Sequence, residues 1–169
     1  MKKILLIIFL LFGIIQAQEN AKKLEGIAPN FELEDLDGEY SELNDFLGEG
    51  PVLISFWATW CKPCIQELKE YNKIYNELKD KGFKMVAIST DSERSVAKVK
   101  PFISSMGYKF SVLLDTNSDV ARKYYARVMP HSVILNKNGE IIYSHVGYSF
   151  GDEKKVKEIV QNQILGSER

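Results

Sequence analysis

Pro51-Val-Leu-Ile-Ser-Phe-Trp57 is a nearly unbroken apolar run, and four residues past its end the sequence changes period. From Pro63 to Lys81 apolar residues recur at helical spacing until Gly82 stops them. A run of that kind predicts a strand buried on both faces, so layers must cover both sides of its sheet. The rest of the chain repeats the alternation. Met85–Ile88 and Phe110–Leu114 read as further buried strands, and Ser92–Met106 reads as a helix in which Pro101 forces a kink or a restart. Ser118–Tyr125 predicts a short helix and Asp152–Leu165 a closing amphipathic one. Two hairpins flank this core. Asn30–Glu34 returns through Asp37-Gly38 into a strand beginning at Glu39-Tyr40, followed by one helical turn within 41–46. Ser132–Leu135 returns through Asn138-Gly139 into Glu140–Tyr143. The pattern predicts an α/β sandwich on a mixed sheet, with right-handed crossovers between parallel strands.

The length of 169 residues suits one domain with a single core. Basic and acidic side chains nearly balance, 22 against 23, so no excess of positive charge exists to neutralise nucleic-acid phosphates. Residues 1–17 are set aside as a signal peptide. Lys2 and Lys3 precede the apolar run Ile4–Ile15, and Ala17 offers a small residue at a cleavage point. A stable span needs about 20 apolar residues, so the run is short for an anchor. An uncleaved signal acting as a membrane tether is the alternative. Residues 18–27 are polar and aperiodic and read as a linker, leaving 28–169 as the folded domain. These features predict an exported protein, periplasmic or otherwise extracytoplasmic, where two cysteines could form a structural bridge.

The spacing of those cysteines argues for chemistry instead. Trp60-Cys61-Lys62-Pro63-Cys64 falls where the buried strand gives way to the helix. At a helix start Cys61 meets unpaired backbone N–H groups and the positive end of the dipole, which favour thiolate, the attacking species. Lys62 adds positive charge, and Cys64 lies about one turn away, able to close a disulfide and more deeply placed. Cys61 is therefore the expected attacking thiol and Cys64 the resolving one. Three other readings compete. Half a zinc site would need His131 and His145 to supply the remaining ligands. A structural disulfide would close a very short loop and stabilise little. A copper-binding chaperone could use Cys61, Cys64 and a histidine, since thiolates suit Cu(I).

Glu67 follows from the helical phase. Leu68, Tyr71, Ile74, Tyr75 and Leu78 form one stripe, and Glu67 falls inside it one turn beyond Cys64, while Glu70, Lys73 and Glu77 point away. A carboxyl on the buried face has a raised pKa and can carry a proton for the resolving sulfur. Geometry alone equally permits a glutamate whose stem packs at the stripe's edge with its head in water.

The run Phe56-Trp57-Ala58-Thr59-Trp60-Cys61-Lys62-Pro63-Cys64-Ile65-Gln66-Glu67 resembles the thioredoxin superfamily, and more narrowly its TlpA/ResA-like exported thiol–disulfide oxidoreductases. Pro29-Asn30-Phe31, Leu114-Asp115, Pro130 and Asn138-Gly139 extend the resemblance over roughly residues 28–165. It implies a thioredoxin-like three-layer sandwich with an N-terminal hairpin and an extra αβ insertion, for which Ser92–Leu114 is the candidate. It implies catalytic roles for Cys61, Cys64 and Glu67, with no cofactor and no resident metal. It also implies a cis bond before Pro130 that leaves the backbone of Met129 free to pair with an incoming peptide. Trp60, Pro63, Met129 and Pro130 would form the substrate-binding surface, although Trp60 could equally serve packing. Trp57 reads as core.

Several positions depart from the family pattern. Ser55 stands where thioredoxin carries a buried aspartate, Lys69 where proline is frequent, and His131 where threonine is common. His131 reads either as an ordinary strand-starting residue or as a group tuning the site's pH response. His145 reads as structural. The implied partners are extracytoplasmic proteins bearing cysteines or disulfides, apocytochromes among them, with reduction as the implied direction. A membrane electron donor is needed to reset the pair, because no further cysteine exists in the chain. A peroxidase on the same fold would place a threonine three residues before the reactive cysteine and a proline four before that; Thr59 is only two before Cys61.

Overall fold

The computed structural model describes residues 25–167, so the predicted signal peptide and linker residues 18–24 lie outside the described residues. The strands are β1 (Glu32–Asp35), β2 (Tyr40–Glu42), β3 (Val52–Trp57), β4 (Lys84–Ser89), β5 (Ser111–Leu114), β6 (His131–Leu135) and β7 (Ile141–Val146). The α-helices are α1 (Lys62–Leu78), α2 (Val99–Met106), α3 (Asp119–Lys123) and α4 (Asp152–Ser167). Seven strands form one mixed sheet in the order β2-β1-β5-β4-β3-β6-β7. β4 runs parallel to both β3 and β5, and every other neighbour is antiparallel.

The sheet is central because β3 is apolar on both faces. Every residue of it is buried, and its side chains divide by parity between two cores. Leu53 and Trp57 join α1, α2 and α4 on one face, with Leu68, Tyr71, Ile103, Val156 and Val160. Val52, Ile54 and Phe56 join α3 and the N-terminal segment on the other, with Phe31, Val120 and Tyr124. This is the predicted three-layer sandwich. α2 and β5 are the predicted αβ insertion, and β5 enters the sheet between β1 and β4.

Pro101 acts by restarting the helix. A 3-10 turn covers Val96–Lys98 and α2 begins at Val99, which puts Pro101 in the first turn where its missing N–H goes unused. α1 ends in a 3-10 turn (Lys79–Lys81) at Gly82, whose φ of 85° is the left-handed conformation favoured by glycine. The backbone of Gly82 also presses on Gly50, where a Cβ would stand 2.6 Å from the Gly82 carbonyl oxygen. The predicted linker meets the fold at its last residues. The Gly26 carbonyl accepts from Ile141 N at 2.8 Å, and Ile27 bridges to Glu140.

Candidate active site

Cys61 caps α1. Its backbone is still extended (φ −89°, ψ 97°), and the Cys64 amide donates to its sulfur at 3.3 Å. The two cysteines form a disulfide with Cα atoms 5.3 Å apart. Cys61 retains 6% exposure and Cys64 none, so an approaching sulfur meets Cys61 first. Pro63 sits in the first helical turn, where it displaces no hydrogen bond. The helix then runs unbroken through Lys69.

Glu67 is fully buried, one of the two outcomes its helical phase permits. Ser55 Oγ donates to its Oε2 at 2.8 Å and Ser132 Oγ to its Oε1 at 2.9 Å. Tyr71 Oη lies 3.2 Å from Ser132 Oγ and extends the chain by one hydroxyl. Burial pushes the Glu67 carboxyl up to about 7; the Ser55, Ser132 and Tyr71 hydroxyls oppose that rise, and the charge of Asp152 adds to it. Ser55 and Ser132 were not predicted as partners. Their signal was present: one serine interrupts each of two apolar strands, and the register pairs β3 with β6 so that these serines face each other.

The predicted docking residues differ in exposure. Trp60, beside Cys61, is 64% exposed, Pro63 is exposed, Met129 is half-buried and Pro130 is buried. The Met129–Pro130 bond is cis. Met129 packs on the core cluster that contains both cysteines, and Thr90 Oγ1 lies 2.9 Å from its sulfur. Trp57 is core, its ring 5.5 Å from that of Phe102.

The histidines lie elsewhere. His131 follows Pro130, but its ring enters the opposite face of β6 from Ser132, edge-on to Phe56. Its Nε2 pairs with Ser144 Oγ at 3.0 Å and its Nδ1 has no partner. Burial pushes its pKa down to about 4, with His145 adding to the fall. His145 contacts Asp152 at 3.3 Å and stacks on Tyr143.

The AhpC/TSA family profile matches residues 25–144, most of the chain. The chain is a thiol-disulfide oxidoreductase of the AhpC/TSA family. Within AhpC/TSA proteins it is similar to the thiol-disulfide oxidoreductase ResA of Bacillus cereus, at 36% identity over 134 residues, covering 79% of this chain and 76% of that one. Among solved structures it resembles the thioredoxin domain of a thiol-disulfide oxidoreductase from Bacteroides vulgatus (TM-score 0.70, 29% identity, 82% of this chain and 99% of that one). It also resembles StoA from Bacillus subtilis (TM-score 0.64, 25% identity, 79% and 97%). AhpC/TSA membership leaves a peroxidase to be weighed, and here Thr59, two residues before Cys61, is committed elsewhere: its Oγ1 donates to Asp91 at 2.7 Å. The copper reading lacks its third ligand, since no group of three or more His, Cys, Asp or Glu side chains suited to a metal occurs among the described residues.

Proposed function

We propose that this oxidoreductase reduces disulfides of exported proteins, with Cys61 as nucleophile, Cys64 as resolving thiol and Glu67 as the proton carrier between them. The Cys61 thiolate attacks one sulfur of the partner's disulfide; that bond breaks, and the departing partner sulfur takes a proton. Cys64 then gives its proton to Glu67 and attacks the Cys61 sulfur. The second partner sulfur leaves as thiolate and is protonated, Glu67 giving up the proton it took, and two electrons have passed from the pair to the partner. A donor outside the chain, a membrane dithiol by class, restores the thiols. Trp60, Pro63, Met129 and Pro130 form the face on which the partner peptide lies.

The observation that carries this reading is the vertical order of the site: a marginally exposed sulfur, a buried one beneath it, and a buried carboxyl one turn further in. A carboxyl held near neutrality by burial can take and return a proton at working pH, which an ordinary surface glutamate cannot. Residues 1–17 as an export signal and 18–27 as a tether place the domain, 28–169, outside the cytoplasm. No helix among the described residues is long and apolar enough to cross a membrane.

Titration of the pair against thiol buffers tests the direction. A reduction potential near the thioredoxin end of the scale, about −270 mV, supports a reductase, whereas one near about −120 mV makes the protein an oxidant. Cys61→Ser must abolish turnover, and Cys64→Ser must trap a mixed disulfide on Cys61. Retained turnover in the first variant overturns the assignment.

A further inference from the structure

The end of β4 holds a buried carboxylate that the exchange chemistry does not use. Asp91 has no exposure, yet it is not an isolated charge. Thr59 donates to it twice, from its backbone N at 2.7 Å and from its Oγ1 at 2.7 Å, and Ser89 Oγ donates at 3.0 Å. Thr59 lies in the turn between β3 and α1. That turn closes when the Cys61 amide donates to the Ala58 carbonyl at 3.0 Å, and the Cys61 carbonyl then accepts from Ile65 as the helix begins. The residue before Asp91 holds the same loop from its other end: Thr90 N donates to the Trp57 carbonyl at 2.9 Å. The Thr90 hydroxyl also reaches the Met129 sulfur. Both halves of the reacting face are therefore fastened to one short segment.

We propose that Asp91 is a positioning residue for Cys61: by gripping Thr59 from two sides it fixes the turn 58–61, and with it the place of the sulfur over the first amides of α1. The sulfur accepts from the Cys64 amide only while that turn stays in place. A turn released at Thr59 lets the sulfur leave the helix end, and the thiolate loses its donor. The carboxylate's own charge acts in the opposite sense, since a negative group near a sulfur disfavours thiolate. Position and charge therefore predict shifts of opposite sign, which makes them separable.

The test reads the alkylation rate of Cys61 by iodoacetamide across pH in the full chain carrying Cys64→Ser. Thr59→Val removes one of the two bonds from the turn and keeps the carboxylate. It is expected to raise the pH midpoint by about one unit, slowing alkylation about tenfold below both midpoints. Thr59→Ser, which keeps the hydroxyl, restores the original profile. Asp91→Asn removes the charge and one of the two acceptor oxygens, leaving an amide oxygen that can keep one of the Thr59 bonds. If that variant does not fold, the Thr59 pair still decides. An unchanged midpoint in folded Thr59→Val overturns the proposal, as does a lowered one. This inference rests on Cys61 being the attacking thiol, and the two failures differ. An ordinary, unactivated Cys61 before any change at Thr59 defeats the proposed function, whereas an activated Cys61 indifferent to Thr59 defeats only the role of Asp91.

Discussion

Two ionisable groups lie back to back across β6. Glu67 reaches Ser132 from the α1 side, and His131, the next residue along the strand, enters the core on the opposite side. Burial drives both toward the neutral form, the acid up to about 7 and the imidazole down to about 4. Their partners differ. Glu67 meets two hydroxyls, and a hydroxyl can turn from donor to acceptor, so the same cradle serves the carboxylate and the protonated acid. His131 has one partner and an orphaned Nδ1 among apolar neighbours, so a second proton there finds no acceptor. Burial alone shifts a pKa. Rotatable partners are what let the shifted group be used.

The two shifts act on stability with opposite signs. Glu67 titrates near 4.5 when unfolded and near 7 when folded, so the folded chain holds the extra proton between those values. Its contribution is complete below about pH 4.5 and is lost as pH rises through about 7. His131 moves from 6.5 to about 4, so the unfolded chain binds the extra proton. Its contribution is complete above about pH 6.5 and is lost as pH falls through about 4. Between about pH 4.5 and 6.5 the two slopes cancel. Glu67→Gln breaks that balance and carries the largest expected effect. On the proposed role of Glu67 as proton carrier, exchange at neutral pH falls about 100-fold. Stability at pH 8 rises by about 3 kcal/mol, because no buried carboxylate remains. Urea unfolding across pH then uncovers the His131 rise from about pH 4 to 6.5 that is hidden in the parent. A flat profile in this variant removes His131 from the account.

A smaller effect sharpens the role of the cradle. The hydroxyls of Ser55 and Ser132 both hold the Glu67 pKa down. Ser55→Ala and Ser132→Ala are each expected to move the acid upward by about one unit, worth about 1.4 kcal/mol, and to carry the acidic limb of the exchange-rate profile with it. Ser132→Ala also removes the hydrogen bond that Tyr71 Oη donates to Ser132 Oγ, so it should destabilise the chain more than Ser55→Ala. Carboxyl signals of Glu67 followed by NMR across pH check the shift directly. A midpoint unmoved in both variants shows that burial alone sets it.

The fold and the cysteine pair were legible because each is local. The apolar run of β3, the period of α1 and the Asn138-Gly139 turn lie within a few residues of the structure they specify. Pro101 was legible as an interruption, while its outcome depended on a 3-10 turn with no periodic signature. β7 runs on to Val146, past the predicted Tyr143, because Ser144 and His145 alternate without an apolar face to betray the strand. The cradle shows the same limit more sharply. Helical phase put Glu67 in the buried stripe and the family resemblance chose its role, but Ser55 and Ser132 meet only through β3–β6 register, across chain segments far apart in sequence. Asp91 carried no signal at all, since an aspartate after a strand reads as the start of a solvated loop.

At pH 7 the smallest change belongs to His131→Leu. The parent imidazole is neutral there in the folded state, so charge contributes little, and what remains is the orphaned Nδ1. An unpaired buried nitrogen costs about 1–3 kcal/mol, and leucine removes it while filling space against Phe56. Ser144, half-exposed, recovers its lost hydrogen bond from water. The variant is expected to gain about 1 kcal/mol at pH 7, read by urea unfolding, and to hold exchange turnover within about twofold. Its stability should then decline from about pH 4.5 to 7, the Glu67 contribution standing alone. A large loss of turnover would instead place the His131 ring on the path of the reaction, and the separation of the two faces of β6 would fail.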